Sequence, residues 1–152
     1  MLTKNFSLEE LYESTTATRS GIHNVPGVYE TQCLRDLAVH ILQPLRDYFN
    51  KPVIIRSGYR SAPLNRAVGG AHDSQHMKGQ AADITINGVG NDLIWQYIRD
   101  NMLYDQLILE YVPADNPERG WVHVSFRDGI NRKDAISCVA PGDYREGMVY
   151  AD

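Results

Sequence analysis

Three short segments of this chain alternate apolar and polar side chains, and that alternation constrains the fold more than any other feature. Successive residues of a β-strand point to opposite faces. In 81–86, Asp83 and Thr85 oppose Ile84 and Ile86; in 106–111, Gln106, Ile108 and Glu110 oppose Leu107, Leu109 and Tyr111. In 120–126, Trp121, His123 and Ser125 oppose Val122, Val124 and Phe126. Each segment therefore carries an apolar row on one side and one ionisable group on the other, the pattern of a sheet with one buried face.

The residues that cover such a face are also legible. From Glu30 to Phe49 the residues Leu34, Leu37, Ala38, Ile41, Leu42, Leu45 and Phe49 recur at intervals of three and four, which predicts an amphipathic helix bent near Pro44. Further helices are predicted over 91–101, capped by Asn91, and over 61–68, with Pro63 in the first turn and Gly69-Gly70 closing it. The Ser7-x-x-Glu10 pair predicts a short helix through Leu11 toward Glu13. A strand is expected from Pro52 to Gly58, an ordered surface loop over 15–27 and a loop over 72–79. Without regular βαβ alternation the expected class is α+β, an antiparallel β-sheet with helices packed on one side. One domain spans 1–152, with its core in 6–126 and an irregular tail over 127–152 that contains one short edge strand.

Composition narrows the function classes. A net charge of -4 and no local cluster of Lys or Arg exclude a field suited to nucleic acid. With 43% hydrophobic and 22% charged residues the chain is globular, and no run approaches the ~20 apolar residues of a membrane span. The opening residues lack the apolar core of an export signal, so synthesis in the cytoplasm is expected, as is a monomer. Cys33 and Cys138 are too few for a disulfide framework and are read as free thiols.

The chemistry lies on the less apolar faces. His76, Asp83 and His123 offer two neutral nitrogens and one carboxylate oxygen, a donor set for one zinc ion with a coordination position left to solvent. Such a site activates water for hydrolysis and needs a nearby carboxylate to manage protons. Glu110, an acid inside Leu107-Ile108-Leu109-Glu110-Tyr111, is the candidate base, with Glu118 and Asp115 as the acids nearer His123 in sequence. Arg60, just after a strand and the Gly58 turn, is a candidate for holding substrate charge, with Arg56 and Arg66 as competitors. His72, four residues before His76, is a weaker ligand candidate, and His40 reads as a partly buried helical histidine.

Ser57-Gly58-Tyr59-Arg60, Ser74-x-His76-x-x-Gly79-x-Ala81-x-Asp83 and Trp121-Val122-His123-Val124-Ser125 together resemble the signature of the zinc D-Ala-D-Ala carboxypeptidases, peptidase family M15. That family includes phage endolysins and shares its fold with the Hedgehog signalling domain. The resemblance implies a Hedgehog/DD-peptidase-like fold, with His76, Asp83 and His123 as zinc ligands, Arg60 on the substrate anion or transition state, and Ser74 as a polar substrate-side residue. Several members carry their catalytic acid three positions before the last histidine, where this chain has Gly120. Glu110 matches instead the acid of the subgroup with a Gln-Leu-Ile-x-Glu strand, here Gln106-Leu107-Ile108-Leu109-Glu110.

The implied function is hydrolysis of peptidoglycan stem peptides, as a D-Ala-D-Ala carboxypeptidase or an L-Ala-D-Glu endopeptidase of endolysin type. A cytoplasmic enzyme would reach that wall if released, for example by a phage holin. The alternatives are a non-catalytic zinc module of the same fold and a cytoplasmic D-Ala-D-Ala dipeptidase.

Overall fold

Six strands pair into one sheet in the computed structural model, which describes residues 1–152. They are β1 (Ile54–Ser57), β2 (Ala81–Thr85), β3 (Gln106–Glu110), β4 (Trp121–Ser125), β5 (Asp134–Ala140) and β6 (Asp143–Glu146), ordered β1-β2-β4-β3-β5-β6. All neighbours are antiparallel except β3 and β5, which run parallel. The expected α+β class with an antiparallel sheet is present, with this one parallel pair inside it.

The alternation sorts the faces as the sequence implies. Ile84, Leu107, Leu109, Val122 and Val124 enter a single cluster of 23 buried residues. The helices supply the other side of it: Leu34 and Leu37 from α2 (Val28–Leu37), Leu45 from α3 (Gln43–Phe49), and Ile94, Trp95 and Ile98 from α5 (Asn91–Asn101). Each fully buried aliphatic side chain contributes about 1.5–3 kcal/mol, so this face carries most of the stability.

The long helix predicted over 30–49 is continuous but not uniform. Between α2 and α3 the chain widens into a π-turn at Ala38–Leu42, with the Gln43 N–H donating to the Ala38 carbonyl. Pro44 follows at once and has no N–H to return to the helix, so the wide turn absorbs the mismatch that the sequence announces as a bend. His40 on this turn is exposed and stacks on Phe126 at 4.5 Å, rather than sitting partly buried.

Three other expectations change. Residues Thr15–Ser20 form a helix, α1, where a loop is predicted; Ser14 caps it by accepting from the Ala17 N–H, and Gly21 ends it. The Ser7 hydroxyl accepts from the Glu10 N–H as the sequence suggests, but the turn it starts is a 3-10 turn over Glu9–Leu11. Helix α5 is capped by Gly90, and Asn91 instead donates its side-chain amide to the Arg119 carbonyl.

The tail is the largest correction. In place of irregular chain with one edge strand it builds β5 beside β3, with β6 outside it. Asp105, fully buried at the start of β3, explains why the chain can cross there. Its carboxylate takes the Arg132 backbone N–H at 2.9 Å and the Arg132 guanidinium at 2.9 Å, tying the crossing segment down before β5 begins. No helix of the protein is long and apolar enough to cross a membrane.

Candidate metal centre and active site

On the face away from the helices, strand register places the chemistry in two rows. One runs Asp83, His123, Ile108 and Ile136; the next runs Trp121, Glu110, Cys138 and Tyr144. His76 reaches the first row from a 3-10 turn, Gln75–Lys78, that precedes β2. Ser74 accepts from the His76 N–H at 3.2 Å and thereby caps the turn that delivers this histidine.

His76, Asp83 and His123 are all buried, and one donor atom from each lies within 4.8 Å of the other two. Asp83 Oδ1 is 3.3 Å from His76 Nε2 and 3.0 Å from His123 Nδ1. A tetrahedral zinc with bonds near 2.05 Å sets its donors about 3.3 Å apart, so the residues present fit that ion. The His76 Nδ1–H donates to the Gly58 carbonyl at 2.7 Å, which leaves the Nε2 lone pair directed at the ligand cluster. Burial alone would raise the Asp83 carboxyl, but the His76 imidazole and the hydrogen bond to His123 outweigh it and hold the group far below the usual carboxylate range. An anionic oxygen between two imidazoles is what a divalent cation requires.

Arg60 is anchored on four sides. Its Nε donates to Ser57 Oγ at 3.0 Å, its Nη1 to Asn65 Oδ1 at 3.1 Å, its Nη2 lies 3.4 Å from Asp83 Oδ2, and its backbone N–H binds the His76 carbonyl. Burial lowers its pKa while Asp83 and Glu110 act in the opposite sense. Asn65 was not among the sequence candidates. Its own amide donates to the Ala71 carbonyl, so it joins helix α4 (Ala62–Ala67) to the site, a role no sequence spacing reveals.

Glu110 Oε1 stands 3.9 Å from His123 Nδ1, beside the ligand cluster. Burial, and after it the Asp83 charge, push its carboxyl up to about 7, in the range where a group exchanges protons at neutral pH. The competing acids are elsewhere: Asp115 is exposed, and Glu118 accepts from the Gly88 N–H at 2.7 Å. Gly120 cannot serve either. It adopts φ +73°, and a Cβ there would collide with the Glu110 carbonyl oxygen.

The two rows open into a cleft of about 970 Å³ whose lining includes Arg60, Ser74, His76, Asp83, Glu110 and His123. Arg56 bonds Thr85 outside it, Arg66 is exposed on α4, and His72 is exposed and outside the ligand cluster. Tyr111, Trp121, Tyr144 and Arg132 also border the cleft. Two of these, Tyr144 and Arg132, come from the tail beyond residue 127. The Cys33 and Cys138 thiols are free.

Residues 4–125 match the family model for Peptidase M15. The chain belongs to that family. A curated relative, the zinc D-Ala-D-Ala carboxypeptidase of Streptomyces albus G, is 34% identical over 80 residues. That match covers 53% of this chain and 30% of the relative, so the chain spans under a third of the length of the relative it matches. Among solved structures, a mutant of the vancomycin resistance D,D-pentapeptidase VanY in complex with Zn(II) aligns over 76% of this chain and 78% of its own, at 16% identity and a TM-score of 0.40. Within an M15 peptidase, the buried His76-Asp83-His123 set is the candidate zinc site, and zinc is the ion its donors suit.

Proposed function

We propose that this M15 peptidase uses zinc to hydrolyse peptide bonds in the stem peptides of bacterial peptidoglycan. The observation that carries the reading is the placement of Glu110 beside a three-residue ligand cluster at the floor of a cleft. The curated relative's printed activity on D-Ala-D-Ala supports the substrate class.

When bound, zinc supplies Lewis-acid activation of water and of the scissile carbonyl. Glu110, with its carboxyl near 7, takes the proton from the attacking water and returns it to the leaving amine. Arg60, fixed by Ser57, Asn65 and Asp83, presents its remaining N–H groups to negative charge on the substrate. Ser74 lines the same wall, where it offers a polar contact and holds the His76 turn. A non-catalytic zinc module is the weaker reading, because a fourth protein ligand from His72 has no support in its exposed position.

Mass analysis of peptidoglycan digested by zinc-loaded protein tests this reading. Loss of one D-alanine marks a carboxypeptidase and paired internal fragments mark an endopeptidase; either supports a wall peptidase. Intact stem peptides after prolonged digestion of purified sacculi contradict it. Protein made in the cytoplasm would reach the wall on release, and digestion of sacculi by externally added protein is the outcome that this route requires. Glu110→Gln should keep its zinc and lose turnover on the order of 10²-fold or more.

A further inference from the structure

Alternation along β3 places Glu110 on the cleft side and assigns the next residue, Tyr111, to the helix-covered side. The structure does otherwise. Tyr111 adopts φ +57°, a left-handed conformation in which a bulky side chain is an outlier. It is absent both from the buried core cluster and from the half-buried residues packed on it, and it borders the cleft instead. Its ring meets Trp121 edge to face at 5.3 Å. Its hydroxyl lies against Cys138, the residue level with Glu110 on β5.

The reversal is built in from both sides. The Tyr111 N–H donates to the Cys138 carbonyl at 2.9 Å, which fixes the turn. Across the hairpin Gly120 leaves room for it, since a Cβ there would lie 2.6 Å from the Tyr111 carbonyl oxygen. Tyr144, opposite Cys138 on β6 and 58% exposed, extends the same row. Three aromatic rings thus flank Glu110, one from β4, one from the end of β3, and one from a strand beyond the residues that the family model matches.

We infer that Tyr111, with Trp121 and Tyr144, forms an aromatic wall that binds the segment of the substrate peptide running past Glu110, and that Tyr111 is a specificity-determining residue. The inference rests on the proposed function. A strained backbone that moves an apolar ring from a core into a wet cleft gives up folding stability, and a ligand against that ring accounts for the placement. Aromatic faces of this kind suit the methyl and methylene surface of a short peptide rather than its carboxylates.

The test is steady-state hydrolysis of a soluble stem peptide by zinc-loaded wild type, Tyr111→Gly, Tyr111→Phe and Tyr144→Ala, with zinc content and circular dichroism as controls. Glycine accepts φ +57° freely, so the first variant keeps the fold. Its KM should rise about tenfold with kcat within about twofold, the size expected when bound substrate no longer packs on one aromatic ring. Tyr111→Phe should recover most of that affinity, and Tyr144→Ala should show a smaller rise in KM. Unchanged KM in Tyr111→Gly, with wild type active, overturns the inference and leaves the proposed function standing. A wild type that does not cleave the peptide overturns both.

Discussion

The two faces of one sheet do different work with the same five-residue strands. On the covered side, Leu107, Leu109, Val122 and Val124 are buried against helices. On the open side, one residue along, His123, Ile108, Glu110 and Trp121 border a cleft. A period of two separates them, so stability and chemistry are set by alternate letters of the same sequence. It follows that substitutions should divide by parity: one set moves unfolding, the other moves metal binding and turnover.

The largest effect should come from the open side. His123→Ala removes one of three ligand atoms, so zinc retention should fall and peptide hydrolysis should drop by about 10³-fold or more, several kcal/mol of activation. Urea unfolding of the zinc-free protein should meanwhile fall by about 1–2 kcal/mol, the cost of the lost His123–Asp83 hydrogen bond, and by less than for truncation of a core side chain. A zinc-free midpoint that collapses in this variant breaks the division of labour. The matching change on the covered side is Leu109→Ala, which should cost about 2–5 kcal/mol in urea unfolding while the folded fraction still binds zinc. Loss of zinc affinity in the folded protein would show that the two faces are coupled.

The same parity makes most of this legible in the sequence. The period-two rows in 81–86, 106–111 and 120–126 placed Asp83, Glu110 and His123 on one side, and the three-four spacing in 30–49 supplied the cover. What the sequence hid were features set by tertiary contact. The strand expected in the tail is present as β5, but its place inside the sheet, with β6 beyond it, goes with the Asp105–Arg132 contact, and Asp105 lies in sequence as an ordinary acid before a strand. Tyr111 broke the alternation because its backbone is left-handed, and no pattern in the letters marks that. Asn65 reached the site through a helix that shares no periodicity with it. Helix α1 is hidden for a different reason: its Ser14 cap and Gly21 stop are present in the sequence, but six polar and small residues between them give no apolar period.

The Asp105–Arg132 pair provides an intermediate effect. Burial would raise this carboxyl, but the hydrogen bonds from Arg132, and that from Gln75, outweigh it and hold its pKa below the ordinary value. A depressed pKa in the folded state contributes stability above the unfolded value, near ~3.9, and loses it as pH falls through the folded one. The difference in melting temperature between wild type and Asp105→Asn should therefore be widest near neutrality and narrow as pH drops below about 4. A constant difference from pH 7 to 3 would show that the charge pair does not stabilise the fold.

The smallest effect belongs to His72, exposed and outside the ligand set. His72→Ala should leave zinc content and hydrolysis within about twofold of wild type, as surface substitutions usually do. A loss of zinc there would bring a fourth protein ligand to the site and favour a structural role for the metal.

The most direct test of the open face is a zinc titration of chelator-stripped protein, with bound metal and stem-peptide hydrolysis followed together. One tightly held zinc per chain is predicted, with activity that returns in proportion to it. Protein that binds no stoichiometric zinc, or that cleaves equally well stripped and reloaded, contradicts a zinc peptidase built on this face.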